Sequence, residues 1–141
     1  MIKFSEVTVN AGEDILQKLE AFVAGQQWNT VVVTNAIGLV KDLLLATPAS
    51  NKLRLGIITE PCNGTAEILT FAGEIMRKEF MDPQLKDVCP NVESPLFFHI
   101  HATCIKPGGE VIGGGLWGGR AFQELRIFLL AFDSSKQKEY S

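Results

Sequence analysis

The two histidines of this chain, His99 and His101, stand one residue apart in Phe97-Phe98-His99-Ile100-His101-Ala102-Thr103. On an extended strand, residues two apart point to the same face of a sheet, so both imidazoles face one way. That spacing suits chelation of a divalent metal such as zinc, or acid–base work by a pair of imidazoles. Cys104 falls on the opposite face and is not expected to join them. A zinc centre needs three or four converging ligands, so the remainder would come from elsewhere, with Glu67, Glu74, Cys62 and Cys89 as the visible candidates.

Downstream, a Pro107-Gly108-Gly109 turn leads into Val111-Ile112-Gly113-Gly114-Gly115-Leu116-Trp117-Gly118-Gly119, where backbone can come close to a neighbour or a ligand. The histidine strand and the glycines are expected to be partners in a hairpin, so Gly113, Gly114 and Gly115 join the candidate ligand or interface site. Gly113, Gly115 and Gly118 also fit Gly-x-Gly-x-x-Gly. That reading is rejected, because a dinucleotide site needs a βαβ unit and an acidic residue about 20 positions further on. Glu67 sits inside an apolar segment; it is either on the solvent side of a strand or, if buried, in need of a histidine, arginine or metal partner. No Ser-His-Asp order, nucleophile elbow or Gly-Lys-Ser/Thr loop is present.

The elements that must position these residues are mostly strands. Ile2–Val9 reads as a first strand. Ile15, Leu16, Leu19, Phe22 and Val23 recur at helical spacing behind Glu13-Asp14, predicting the one principal helix, which stops near Gly25. Thr30–Thr34 and Leu39–Ala46 read as two strands about a bend at Asn35-Ala36-Ile37-Gly38, followed by a turn over Thr47–Asn51. A short strand over Leu53, Leu55 and Ile57, a turn at Pro61-Cys62-Asn63-Gly64, and segments Ala66–Ala72 and Glu74–Phe80 come next. Met81–Ser94, with Pro83 and Pro90, reads as a mobile loop near the histidines and a candidate lid. Leu96–Ile105 and Glu110–Leu116 form the hairpin, Phe122–Phe132 reads as a closing strand, and Asp133–Ser141 as a polar tail.

The expected fold is therefore α+β: a single domain over 1–132, a mainly antiparallel sheet packed with one helix, and a tail over 133–141. With 141 residues and 46% hydrophobic content, the chain can bury a core by itself. A net charge of −3 and scattered Lys and Arg residues argue against autonomous DNA binding. Met1–Glu6 lacks the apolar core of a signal peptide and no run reaches the ~18 apolar residues of a membrane helix, so the expected location is cytoplasmic with no membrane partner. Three cysteines without a Cys-x-x-Cys pair are expected to be reduced thiols.

Five motifs in register, Gly12-Glu13-Asp14-Ile15-Leu16, Ala36-Ile37-Gly38, Gly64-x-x-Glu67-Ile68-Leu69-x-Phe71-x-Gly73, Phe98-His99-Ile100-His101 and Val111-Ile112-Gly113-Gly114-x-Leu116, resemble the PPC (plants and prokaryotes conserved) domain. The resemblance spans about residues 5 to 132. It implies a homotrimer and a binding or regulatory module of the kind labelled DNA-binding in prokaryotes. In plants, AT-hook segments accompany the domain; no Arg-Gly-Arg-Pro hook occurs here. The resemblance also implies a polar cluster of His99, His101 and Glu67, and a third histidine just after the Gly-Gly pair, where this chain has Gly115. Plant members place Arg-Phe where this chain has Thr65-Ala66. The alternative is a metal-dependent enzyme or small-molecule-binding protein with an intersubunit site made from the His-x-His pair and Glu67.

Overall fold

The computed structural model describes residues 2–26, 28–49, 57–88, 90 and 93–133. The elements run β1 (Ile2–Val9), α1 (Ile15–Ala24), β2 (Trp28–Pro48), β3 (Ile57–Arg77), β4 (Leu96–Ile105) and β5 (Val111–Asp133), with 3-10 turns at Lys78–Phe80 and Pro83–Val88. All pairings are antiparallel, in the order β1-β5-β2-β3-β4. The first part of β5 also pairs with β4, so the sheet curls until it meets itself at His101–Ile105 and Val111–Gly115. The expected α+β architecture with one helix is what the chain adopts.

Helix α1 forms where the sequence signals it. Asp14 is the N-cap, its carboxylate accepting a hydrogen bond from the Gln17 N–H at 2.9 Å. Such a cap contributes about 1 kcal/mol. Glu13 accepts from the Asn10 N–H at 2.7 Å and pairs with Lys18, fixing the loop ahead of the helix. Ile15, Leu16, Leu19 and Val23 are buried against the inner sheet face. There they join Val31, Val33, Phe71, Ile75, Phe98, Ile100, Leu125, Ile127 and Leu129 in one core. Each such side chain contributes roughly 1.5–3 kcal/mol on burial.

The main departures from the sequence reading concern strand length. The segments expected as separate strands around Asn35–Gly38 are one strand, β2, bent by register shifts at Val33/Asn35 and Gly38/Val40 against β5. Pro61-Cys62-Asn63-Gly64 does not reverse the chain; it lies within β3, where Gly64 (φ 88°) faces an irregularity at Asp42. Bulges bend a strand while leaving it paired on both sides, which is how Gly, Pro and Asn can occur inside a long strand. The segments flanking Gly73 are likewise continuous to Arg77, and the segments expected over Glu110–Leu116 and Phe122–Phe132 are one strand, β5, which begins at Val111. Thr47 and Pro48 end β2 rather than begin a turn. The expected strand around Leu53 and Leu55, the end of the Thr47–Asn51 turn and residues 134–141 of the tail lie outside the described residues. No helix among the described residues is long and apolar enough to cross a membrane.

Candidate functional site

Strand β4 alternates as its spacing predicts. Phe98, Ile100, Ala102 and Cys104 are buried in the core, while His99 is half-buried and His101 exposed on the outer face. Gly73 allows this strand to lie close to β3. Its φ is 156°, and a Cβ there would fall 2.0 Å from the His99 carbonyl oxygen. The His99 ring stacks on Phe97, with centroids 5.2 Å apart and planes 16° from parallel. His101 stands edge-on to His99, also at 5.2 Å, with the rings at 71°. Phe97 is itself buried, so it gives the His99 imidazole a fixed surface to rest on.

Across the ladder, His101 lies opposite Gly115, which in turn lies opposite Ala46 of β2. The expected hairpin between the histidines and the glycines is therefore present. His99, His101, Gly113, Gly114 and Gly115 line one cavity of about 500 Å³, walled also by Leu85. Leu85 comes from the Pro83–Val88 turn, so the connection expected to be a loop holds a helical turn and reaches the histidine side. The volume is in the range of small-molecule sites.

The three glycines differ in what they do. A Cβ on Gly114 would fall 2.7 Å from the Ala46 carbonyl oxygen, so this position needs a bare backbone for β2 and β5 to approach. A Cβ on Gly113 would meet the Thr103 Cγ2 at 2.8 Å. At Gly115 the nearest atoms are 3.6 Å or more away, which is ordinary contact. Glycine is thus required by packing at Gly114 but not at Gly115, where it leaves the space beside His101 open.

Glu67 does not join the histidines within one chain. It pairs with Leu39 on one side and Ile105 on the other, exposed on the outer face. Ile105 is four residues along β4 from His101, so the separation is about 13 Å at the rise of a strand. Glu67 lines a different, smaller cavity with Lys106 and Phe122. The carboxylate placed directly across from His99 is Glu74. Cys62 is buried with Cys104 in the core, away from the imidazoles. Burial, and then the neighbouring Cys62, push the Cys104 thiol up to about 11. Cys89 lies outside the described residues.

No group of three or more His, Cys, Asp or Glu side chains converges among the described residues. The described residues of one chain thus offer the two imidazoles of a zinc centre, and a third and fourth donor are not among them. Among the described residues of one chain, the two imidazoles do not by themselves complete a metal site.

The outer face continues across all five strands. Phe4, Leu130, Val32, Glu74 and His99 form one lateral row, each opposite the next. Beside them Phe128 stacks with Phe4 at 6.1 Å and lies under the Arg126 guanidinium at 5.3 Å. Arg126 is held by Glu6, whose carboxylate raises its pKa through hydrogen bonding and charge. Ile2 and Phe4 are 59% and 61% exposed, an apolar margin that alternation alone placed on a strand without marking as an outer surface.

The Plants and Prokaryotes Conserved (PCC) domain matches residues 6–133. This chain belongs to that family. The PCC fold is shared with solved structures of low sequence identity. A plant- and prokaryote-conserved protein of Pyrococcus horikoshii is 19% identical at a TM-score of 0.70, covering 94% of this chain and 82% of its own. A metal-containing protein of Archaeoglobus fulgidus is 21% identical at 0.71, covering 94% and 81%. A candidate DNA-binding protein of Bacteroides thetaiotaomicron is 16% identical at 0.69, covering 94% and 85%. No curated protein matches the chain.

Proposed function

We propose that this PCC-domain chain is a homotrimeric binding or regulatory module whose association with nucleic acid is weak or indirect. The observation that carries the reading is the outer sheet face, where Phe4, Leu130, Val32 and Phe128 form an apolar band with Ile2 and Phe4 largely exposed. Contiguous apolar surface of this kind marks association sites. A cytoplasmic setting, with DNA reached through a bound protein partner, completes the proposal. The net charge of −3 supports the indirect character, because direct phosphate neutralisation draws on a clustered basic surface. The Bacteroides protein described as a candidate DNA binder supports the nucleic-acid connection.

Sedimentation of the purified chain, paired with retention on duplex DNA across a salt series, tests this reading. Trimers with weak, non-specific retention are expected. A monomer at micromolar concentration would overturn the assembly, and tight binding with a steep salt slope would overturn the indirect association.

A second reading is favoured by the cavity of about 500 Å³ at His99 and His101: a small-molecule site in which the two imidazoles bind or exchange protons with a ligand. The open space at Gly115 supplies room for that ligand. Replacing both histidines by alanine abolishes binding under this reading and leaves assembly intact; unchanged binding removes it.

A further inference from the structure

Lys41 of β2 and Arg120 of β5 are directly opposite one another in the ladder, both exposed. Like charges in that relation repel and weaken a sheet. Neither has an ion-pair partner among the described residues. They line a cavity of about 330 Å³ together with Gly12, Asp42, Phe122 and Gln123.

Two more observations meet at the same cavity. Asp42 (φ 54°) and Gln123 (φ 56°) are the two non-glycine residues with positive φ among those described, and both are in its lining. Left-handed backbone is costly away from glycine, and such strain gathers at binding sites. The charged groups are also held in place. Arg120 Nη1 donates to the Gly12 carbonyl at 2.8 Å, which anchors one nitrogen of a guanidinium that has further N–H donors to offer. Asp42, the acidic residue in the lining, has Oδ1 engaged by the Gly64 N–H at 2.8 Å. Asp14, which is bridged to Arg120 on the side away from Lys41, has its carboxylate engaged in turn by the Gln17 N–H.

We propose that the cleft between Lys41 and Arg120 binds a phosphate group, as inorganic phosphate or a small phosphate monoester. Directly opposed residues have Cβ atoms about 4.5–5.5 Å apart, so an anion seated between their heads meets both charges. Arginine supplies a planar fork of donors and lysine a point charge, a combination suited to a tetrahedral dianion. The bound anion turns the repulsion between the two cations into attraction towards itself. This site lies on β2 and β5, apart from the histidine cavity and independent of it.

The test is a titration of the full chain with inorganic phosphate, followed by the amide resonances of Gly12, Asp42 and Gln123, on the natural protein, Lys41→Gln and Lys41→Arg. Saturable movement at those amides is expected, weakened about tenfold or more in Lys41→Gln and largely kept in Lys41→Arg. Thermal unfolding gives a second readout that does not depend on the amides. Without phosphate, Lys41→Gln should melt higher than the natural protein, because the repulsion is gone, and it should lose the rise that phosphate gives. The proposal is overturned by movement that does not saturate at tens of millimolar, by an equal response to chloride, or by a Lys41→Gln variant that responds as the natural protein does. A short DNA duplex is the comparison arm. If it moves the same amides far more tightly than phosphate, the anion comes from a nucleic-acid backbone and the small-ligand assignment fails.

Discussion

Gly115 lies directly across the β4–β5 ladder from His101, and a Cβ built on it would stand 4.0 Å from the imidazole Cδ2, in ordinary contact. The backbone therefore tolerates a side chain there. One residue earlier, at Gly114, the same addition strikes the Ala46 carbonyl oxygen at 2.7 Å. Gly115→Ala is expected to change stability by no more than about 0.5 kcal/mol. Gly114→Ala should cost about 1–3 kcal/mol, the range for overpacking a close contact. Urea unfolding of the two variants side by side measures the difference, and equal costs would refute the distinction.

Because His99 and His101 face the cavity rather than the core, the double variant His99→Ala/His101→Ala should fold. The loss of the stacked Phe97–His99 pair sets its cost at about 0.5–1.5 kcal/mol. Elemental analysis of the native, untagged protein alongside this variant measures what the imidazoles hold. With two imidazoles per chain and no third donor converging on them among the described residues, any bound zinc should be substoichiometric and lost in the variant. One firmly held metal per chain would show that donors outside this set complete the site.

Glu13 carries a pH dependence of definite sign. Its carboxyl is held below the usual value of 4.5, first by the hydrogen bond from the Asn10 N–H and then by Lys18. A lowered folded-state pKa means stability that is present above the unfolded value and lost as pH falls through the folded one. The stability difference between the natural protein and Glu13→Gln should be constant near neutrality and shrink below about pH 4.3. Urea midpoints measured from pH 6 down to pH 2 provide the check, and a difference that grows on acidification would contradict the assignment.

The thiol of Cys104 gives the opposite sign at the alkaline end. Burial raises it to about 11, so the folded state keeps its proton where the unfolded chain has lost it. Its contribution is fully present below the unfolded thiol pKa of about 8.5 and is lost as pH rises through 11. At pH 8, Cys62 and Cys104 should resist alkylation in the native protein and react once it is unfolded, as read by peptide mass. Rapid native labelling of either residue would show that the core opens there.

The histidine site was largely legible in the sequence, because a two-residue spacing on a strand fixes a face. The pairing of β4 with the glycines followed from the Pro107-Gly108-Gly109 turn, and α1 from its apolar spacing behind Asp14. Glu67 takes the solvent-side position that the sequence left open. Local pattern put it on a strand, but its distance from His101 depends on the β3–β4 register, including the shift between Ile68 and Thr70. The long strands were divided because Gly38, Gly64 and Gly73 read as punctuation, whereas in the sheet they permit bulges and close backbone approach. The Lys41–Arg120 pair is separated by most of the chain, and no local signal could have joined it.

Strand β5 bonds to β1, β2 and β4, so most of the long-range pairing of the sheet runs through one element near the C-terminal end of the described chain. During synthesis, β1 emerges early but finds its neighbour only after Val9 meets Leu125 and Ile2 meets Phe132. Until then its apolar residues have no ladder to join, and loop closure over such separations is slow. The sheet should accordingly form as a whole, and only once β5 has been made.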